Sequence, residues 1–174
     1  MFWLTIVRDF FKIMRDGQTP SQIAGGFALG SVLGLSPMLT LQGILIWLIL
    51  LTIDVNLSAA LLSLTLFSLF AFLLDPLFHW LGYQILVNAD ALRGAWTWMY
   101  NAPLAPLTRF NNTVVMGSFV AAFVLFVPVF VGMKHFVVAY RTHIYARVEK
   151  WKIYKIINRS TLVRWYQKIR DLRG

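Results

Sequence analysis

The chain has 174 residues, of which 59% are hydrophobic and 13% charged, with a formal net charge of +9. Its mean hydropathy is +0.67, whereas a typical soluble domain is about 25% charged. A protein this small has too much surface for its volume to hide so much apolar side chain, which argues against a soluble globular domain and against a disordered chain.

The charge is segregated. Residues 18–133 hold only Arg93 and Arg109 against Asp54, Asp75 and Asp90. Residues 134–174 hold eleven basic residues against Glu149 and Asp171. The middle reads as a membrane body and the end as a basic tail. The absence of cysteine excludes disulfides, thiolate metal sites and cysteine nucleophiles. Met1-Phe2-Trp3-Leu4 lacks a basic leader, and Arg8-Asp9 interrupts the first apolar stretch, so a secretory signal peptide is not expected.

Residues 3–16 read as an amphipathic helix. Trp3, Ile6, Val7, Phe10, Ile13 and Met14 recur at helical spacing and Gly17 stops the run. Such a helix lies on the membrane surface or packs on a soluble partner. Thr19-Pro20-Ser21-Gln22 is a capping box with proline at the first helical position. No charge follows until Asp54, and Gly34-Leu35-Ser36-Pro37 divides the stretch into 20–36 and 38–53. Each piece is short for a span of about 20 residues. The pattern fits a re-entrant hairpin or one long kinked span.

Residues 57–74 form the clearest span, which Asp75-Pro76 is expected to end or kink. Residues 77–87 continue apolar with His79, Trp80 and Tyr83. The stretch 88–112 is more polar, with Trp96, Trp98 and Tyr100 as interfacial aromatics. Pro103 and Pro106 make a second break there. Residues 113–133 are the last span, with Pro128 as a possible kink. Two amphipathic helices are expected in the tail, separated near Asn158-Arg159-Ser160-Thr161.

The basic tail and Arg8, Lys12 and Arg15 place both termini in the cytoplasm, which requires an even number of crossings. The expected fold is an all-α integral membrane protein. It has at least two transmembrane helices, one or two proline-broken re-entrant hairpins, and amphipathic helices at both termini. Four full crossings satisfy the charge rule equally. The expected divisions are 1–17, a membrane-embedded domain over 18–140, and a cytoplasmic tail over 141–174.

Three groups of residues are candidates for function. Gly26, Gly30 and Gly34 share one helix face and permit close helix approach, for instance between the two arms of the hairpin. Asp75 and His79 stand four apart and would face the same way on a continued helix, as a proton relay or with Asp75 capping or pairing with Arg93 or Arg109. Ser36, Gln42, Asp75, His79, Asn101, Arg109 and Asn112 gather around the two breaks as a candidate polar pocket, in which Arg109 would suit a lipid phosphate. The alternative is that they cap helices at the interface. In the tail, Arg147, Lys150, Trp151, Lys155, Arg164, Trp165 and Lys168 fit a membrane surface or a protein partner better than nucleic acid. No phosphate loop, zinc motif, serine elbow or carboxylate cluster is present, so no enzyme activity, metal or cofactor is expected.

The segment Thr19-Pro20-x-x-Ile23-Ala24-x-Gly26-x-Ala28-Leu29-Gly30-x-x-x-Gly34-Leu35-x-Pro37 resembles a family of small bacterial inner-membrane proteins of unknown function. Gln42, Asn56 and a later Asn101-Ala102-Pro103 segment running to Gly117 extend the resemblance over about residues 19–118. It implies a bacterial inner-membrane location and no established activity. The paired proline breaks also look like those of a separate lipid-translocating family, a likeness of architecture only. The expected function is a non-enzymatic membrane subunit that anchors or gates an envelope assembly handling lipids, with phospholipid and a protein as partners. The alternative is a small lipid or ion translocator working through the polar breaks.

Overall fold

A computed structural model describes residues 18–144. The amphipathic segment 3–16 and the tail residues from Tyr145 onward, including all seven of the candidate surface residues there, lie outside them. Among the described residues every regular element is a helix. We label them α1 (Pro20–Leu35), α2 (Leu41–Thr52), α3 (Leu57–Tyr83), α4 (Arg93–Asn101) and α5 (Thr113–Ala139). The chain divides into two units, 1–137 and 138–174. The packing below concerns the first. Of the second, the end of α5 and a π-helical turn, Tyr140–Ile144, are described.

The expected capping box forms at the start of α1. Gln22 N–H donates to Thr19 Oγ1 at 3.2 Å, and Thr19 N–H donates to Gln22 Oε1 at 2.8 Å. The other end of the Gln22 amide donates to Asp54 Oδ2 at 2.6 Å. Next to it, Asn56 N–H donates to the Gln22 carbonyl at 3.0 Å, while Asn56 Oδ1 caps α3 by accepting from Ala59 N–H. The start of α3 is thereby tied to the start of α1. The chain has gone out along α1 and come back along α2.

The glycine face explains the next step. Any Cβ on Gly26 would strike the Asn56 carbonyl, and one on Gly30 would strike the Ala60 carbonyl. One on Gly34 would come within 2.7 Å of the Leu64 carbonyl. Contacts therefore advance in step along both helices, so α1 and α3 run parallel, main chain against main chain. The stripe packs α1 on α3, not on the second arm of the hairpin. The reason is side-chain size. α3 offers Ala59, Ala60 and Ser63, all buried, whereas α2 carries only large apolar side chains from Ile44 to Leu51. α2 covers the outer side, with Leu50 packed on Leu33 and Ala60, and with Ile46 and Trp47 partly buried around them.

At the other end, α3 meets α5. Gly82 faces the Thr113 carbonyl and Gly117 faces the Phe78 carbonyl. The pairing runs in opposite senses, so α3 and α5 are antiparallel. Ala122 of α5 completes a core cluster with Val32, Leu35 and Phe78. α1, α3 and α5 thus form the centre.

Two expectations are corrected. Asp75-Pro76 does not end the helix: Pro76 sits inside the 27-residue α3, as Pro128 sits inside the 27-residue α5. The apolar surroundings keep the other backbone groups bonded within each helix, so losing one N–H does not unwind it. The second proline cluster does not build a pair of apolar arms. It forms the nine-residue α4 and a 3₁₀ turn, Ala105–Thr108. Trp96 Nε1 donates to the Ile85 carbonyl at 3.3 Å, and its ring lies 6.1 Å from that of Phe110, which fixes this segment on the end of α3.

The helix Leu57–Asn88, counting its π-helical end, and the helix Thr113–Thr142 are long and apolar enough to cross a membrane. Only 17% and 22% of their most apolar stretches are buried. The core helix of a soluble protein would be covered by its neighbours. Phe72, Leu73 and Phe123 are instead open on the outside, at 84%, 75% and 71% exposure.

Candidate functional site

The tip of the α1–α2 hairpin gathers most of the polar geometry. α1 stops because Pro37 has no N–H to offer the Leu33 carbonyl. Ser36 closes the end by donating from N–H and Oγ to the Val32 carbonyl at 3.1 and 2.6 Å. Thr40 then starts α2: its Oγ1 donates to the Pro37 carbonyl at 2.9 Å and accepts from Gly43 N–H at 3.3 Å. Gly43 is required because a Cβ there would strike the Met38 carbonyl.

One side chain links this tip to the other proline cluster. Gln42 Nε2 donates to the Thr108 carbonyl at 3.0 Å, a contact between residues 66 apart in sequence. Its Oε1 is buried with no hydrogen-bond partner among the described residues. Arg109 follows directly and has φ 54°. A non-glycine residue in the left-handed region is costly, by about 1–3 kcal/mol, and such residues concentrate at ligand clamps and switch segments. The residue itself is exposed.

The remaining candidates are not drawn into one pocket. His79 Nδ1 is 2.7 Å from Thr113 Oγ1, so it bridges α3 to α5 and does not meet Asp75. Asn112 Oδ1 accepts from Val115 N–H and starts α5. Asn101 Nδ2 donates to the Thr97 carbonyl of its own helix. Asp75 pairs with neither arginine and caps no helix. It stands mid-helix, half-buried, with no hydrogen bond or ion pair among the described residues, while Arg93 pairs with Asp90 at 2.9 Å.

Beside the tip lies an open groove of about 230 Å³. The end of α1 from Leu33 to Met38 forms one wall, Ser68 and Ala71 of α3 a second, and Val114 and Ser118 of α5 a third. Pro37 and Ser36 were legible in the sequence as parts of a break. Ser68 and Ser118 were not, because a single serine inside an apolar helix looks the same whether it faces lipid or a neighbour. Gly82 and Gly117 were missed for a related reason: each stands alone, with no second glycine to mark a face. Among the described residues, no cluster of His, Asp or Glu could hold a metal ion.

Comparison with known proteins identifies the lineage. Residues 5–145 match the family described as "Uncharacterized protein conserved in bacteria", DUF2062. The chain belongs to this family. It is also 28% identical, over 160 residues, to an uncharacterized protein of Treponema pallidum (strain Nichols), covering 90% of this chain and 98% of that one. No solved structure matches. The DUF2062 region takes in all five helices, so the hairpin, its tip and the groove are features of the family segment and not of the basic tail.

Proposed function

We propose that this chain is a non-enzymatic subunit of the bacterial inner membrane that anchors or gates an envelope assembly handling lipids. In this reading α3 and α5 are the two crossings and α1–α2 is a re-entrant hairpin. α1 is about 24 Å long and α2 about 18 Å at 1.5 Å per residue, against a hydrocarbon core of about 30 Å. The parallel packing of α1 on α3 supports it, since the hairpin tip then lies level with Leu64 and Ser68. About four turns of α3 run beyond that level. The excess of basic residues after Met133 supports a cytoplasmic position for that end.

The observation that carries the subunit reading is the main-chain contact at Gly26, Gly30, Gly82 and Gly117. Helices in contact at their backbones leave no path between them for a substrate. The body then acts as a rigid platform, and its exposed surfaces do the work. Trp98 and Tyr100 of α4, 73% and 63% exposed, give one such surface, and the basic tail would give another. Purification from native cells in nanodiscs, followed by native mass spectrometry, tests this. A stoichiometric partner that is lost on deletion of 141–174 supports the proposal. Unchanged partner binding after that deletion contradicts it.

A second reading, a small lipid or ion translocator, draws on the Gln42–Thr108 contact, which brings the two proline breaks together. In that case Arg109→Ala and Asp75→Asn abolish transport in proteoliposomes. Intact transport in both variants rules that reading out.

A further inference from the structure

The polar side chains of α3 gather on one side. Beyond Ser63, its hydroxyl, carboxyl and imidazole groups belong to Thr65, Ser68, Asp75, His79 and Tyr83. At 3.6 residues per turn these fall within an arc of about 80°. Thr65, Ser68, His79 and Tyr83 are exposed, and Asp75 is half-buried. Phe72 stands on the same arc and, at 84%, is the most exposed large apolar side chain of α3. Among the described residues, α1, α2 and α5 leave this strip open.

Two members of the strip spend their protons on their own helix. Thr65 Oγ1 donates to the Leu61 carbonyl at 2.9 Å and Ser68 Oγ to the Leu64 carbonyl at 2.7 Å. Asp75 and His79 differ from them. The Asp75 carboxylate has no hydrogen bond or ion pair among the described residues. His79 Nδ1 is 2.7 Å from Thr113 Oγ1, which fixes the ring and leaves Nε2 without a partner among the described residues. Asp75 lies about 12 Å along the helix from Tyr83, inside the apolar helix Leu57–Asn88. A carboxylate at that depth is costly against lipid, and such groups pair with one another or face a bundle interior.

We propose that the strip is an interface with a second copy of this chain, α3 against α3. The inference deepens the subunit reading and rests on its assignment of α3 as a membrane crossing. Two copies with one orientation in one membrane are related by a twofold axis along the membrane normal. Their α3 helices then run parallel and present the same strip to each other. The strip is complementary to itself, because an acid and an imidazole stand one turn apart on it. The Thr113 hydroxyl donates to His79 Nδ1, which keeps the ring proton on Nε2. Nε2 of each copy donates to Asp75 of the other, across the seam as e and g side chains pair between parallel helices. One interface thus satisfies two buried carboxylates at once. A lipid tail has no donor to offer either of them. Ser68 is small enough to let the helices approach, and Phe72 packs against its twin.

The test uses the full chain in its native membrane. The chain has no cysteine, so Phe72→Cys and Leu73→Cys each introduce a single one. These neighbours share a depth, and Leu73 is also open, at 75% exposure, but they lie about 100° apart around α3. Oxidation with copper phenanthroline should link two copies through position 72 several-fold faster than through position 73. In the Phe72→Cys chain, Asp75→Leu should lower the linked fraction several-fold. Asp75→His, which sets imidazole against imidazole, should lower it likewise. Adding His79→Asp to Asp75→His restores the complementary pair and should recover most of the linking. Asp90→Asn, which touches only the exposed pair with Arg93, should leave it unchanged. Equal linking at positions 72 and 73 overturns the proposal. So does linking at 72 that neither change at Asp75 reduces. Absence of linking at both positions also overturns it, and assigns the strip to another protein or to the chain's own residues outside 18–144. Alkaline carbonate extraction of the same membranes separates this result from failure of the membrane reading. A chain retained in the membrane without linking refutes the dimer alone, and a chain released by carbonate refutes the crossing as well.

Discussion

Gly30 of α1 lies directly against the main chain of Ala60 of α3, with no room for a side chain between them. The contact sets the two helices parallel and makes α2 the return limb of a hairpin. It also yields a sharp comparison between glycines. Gly30→Val should destabilise the protein by about 1–3 kcal/mol, because the new atoms meet backbone that cannot move aside. Gly94 of α4 has nothing within 4 Å of the Cβ position. Gly94→Ala should be neutral or stabilising by up to about 1 kcal/mol. Paired thermal melts in one detergent would show the contrast, and equal effects would mean that α1 and α3 are not packed this way.

Gln22 holds the start of α1 to the start of α3 by using both ends of its amide. A glutamate there would still accept from Thr19 N–H, but would face the Asp54 carboxylate. Gln22→Glu should therefore cost about 1 kcal/mol or more. Adding Asp54→Asn should recover most of that loss, since the new amide can donate to the carboxylate. A double-mutant cycle measures the coupling. Additive losses would contradict the hydrogen bond.

The Gln42 side chain ties the hairpin tip to the 3₁₀ turn before Arg109 by a hydrogen bond. Gln42→Leu removes it at nearly constant volume. The cost should be about 1 kcal/mol. The local signature should be larger: faster hydrogen exchange across residues 104–112, with exchange in α3 unchanged. Unaltered exchange in that loop would show that other contacts hold it.

Asn112 starts α5 by accepting from Val115 N–H. Asn112→Ala should lower stability by about 1 kcal/mol, while Asn112→Asp or Asn112→Ser should retain most of it. Asn111, its exposed neighbour, should tolerate alanine. Loss at 111 and tolerance at 112 would move the helix start.

The parts of this fold that were legible in the sequence are those set by local chemistry. Thr19, Pro20 and Gln22 carry the start of α1 in their own side chains. Pro37 carries its end. The long apolar runs carry α3 and α5. What the sequence did not disclose is which surfaces meet. The three-glycine stripe marks a close contact but not its partner, because α2 and α3 are both apolar and only the small residues Ala59, Ala60 and Ser63 decide between them. Asp75-Pro76 misled for the opposite reason. Proline breaks helices in water, where freed carbonyls find solvent, but an apolar helix held by its neighbours runs through it. The candidate polar residues were expected to gather around the two breaks as one pocket. Their hydrogen bonds turn out to be mostly local caps, with Gln42 and His79 as the exceptions that join separate helices.

The re-entrant hairpin is the central claim, and labelling of single cysteines tests it most directly, since the chain has none of its own. Leu39 at the hairpin tip is 87% exposed on the protein itself, so any shielding there comes from outside the chain, and a re-entrant tip places it in the membrane. Cysteines at positions 39, 54 and 94 would be treated in intact cells with a membrane-impermeant maleimide. Position 94 should react, while 54 should react only after the cytoplasmic face is opened. Position 39 should stay unreactive to the impermeant reagent from outside. Strong labelling of position 39 from the same side as 94 would instead make α1 and α2 full crossings, and the hairpin reading would fall.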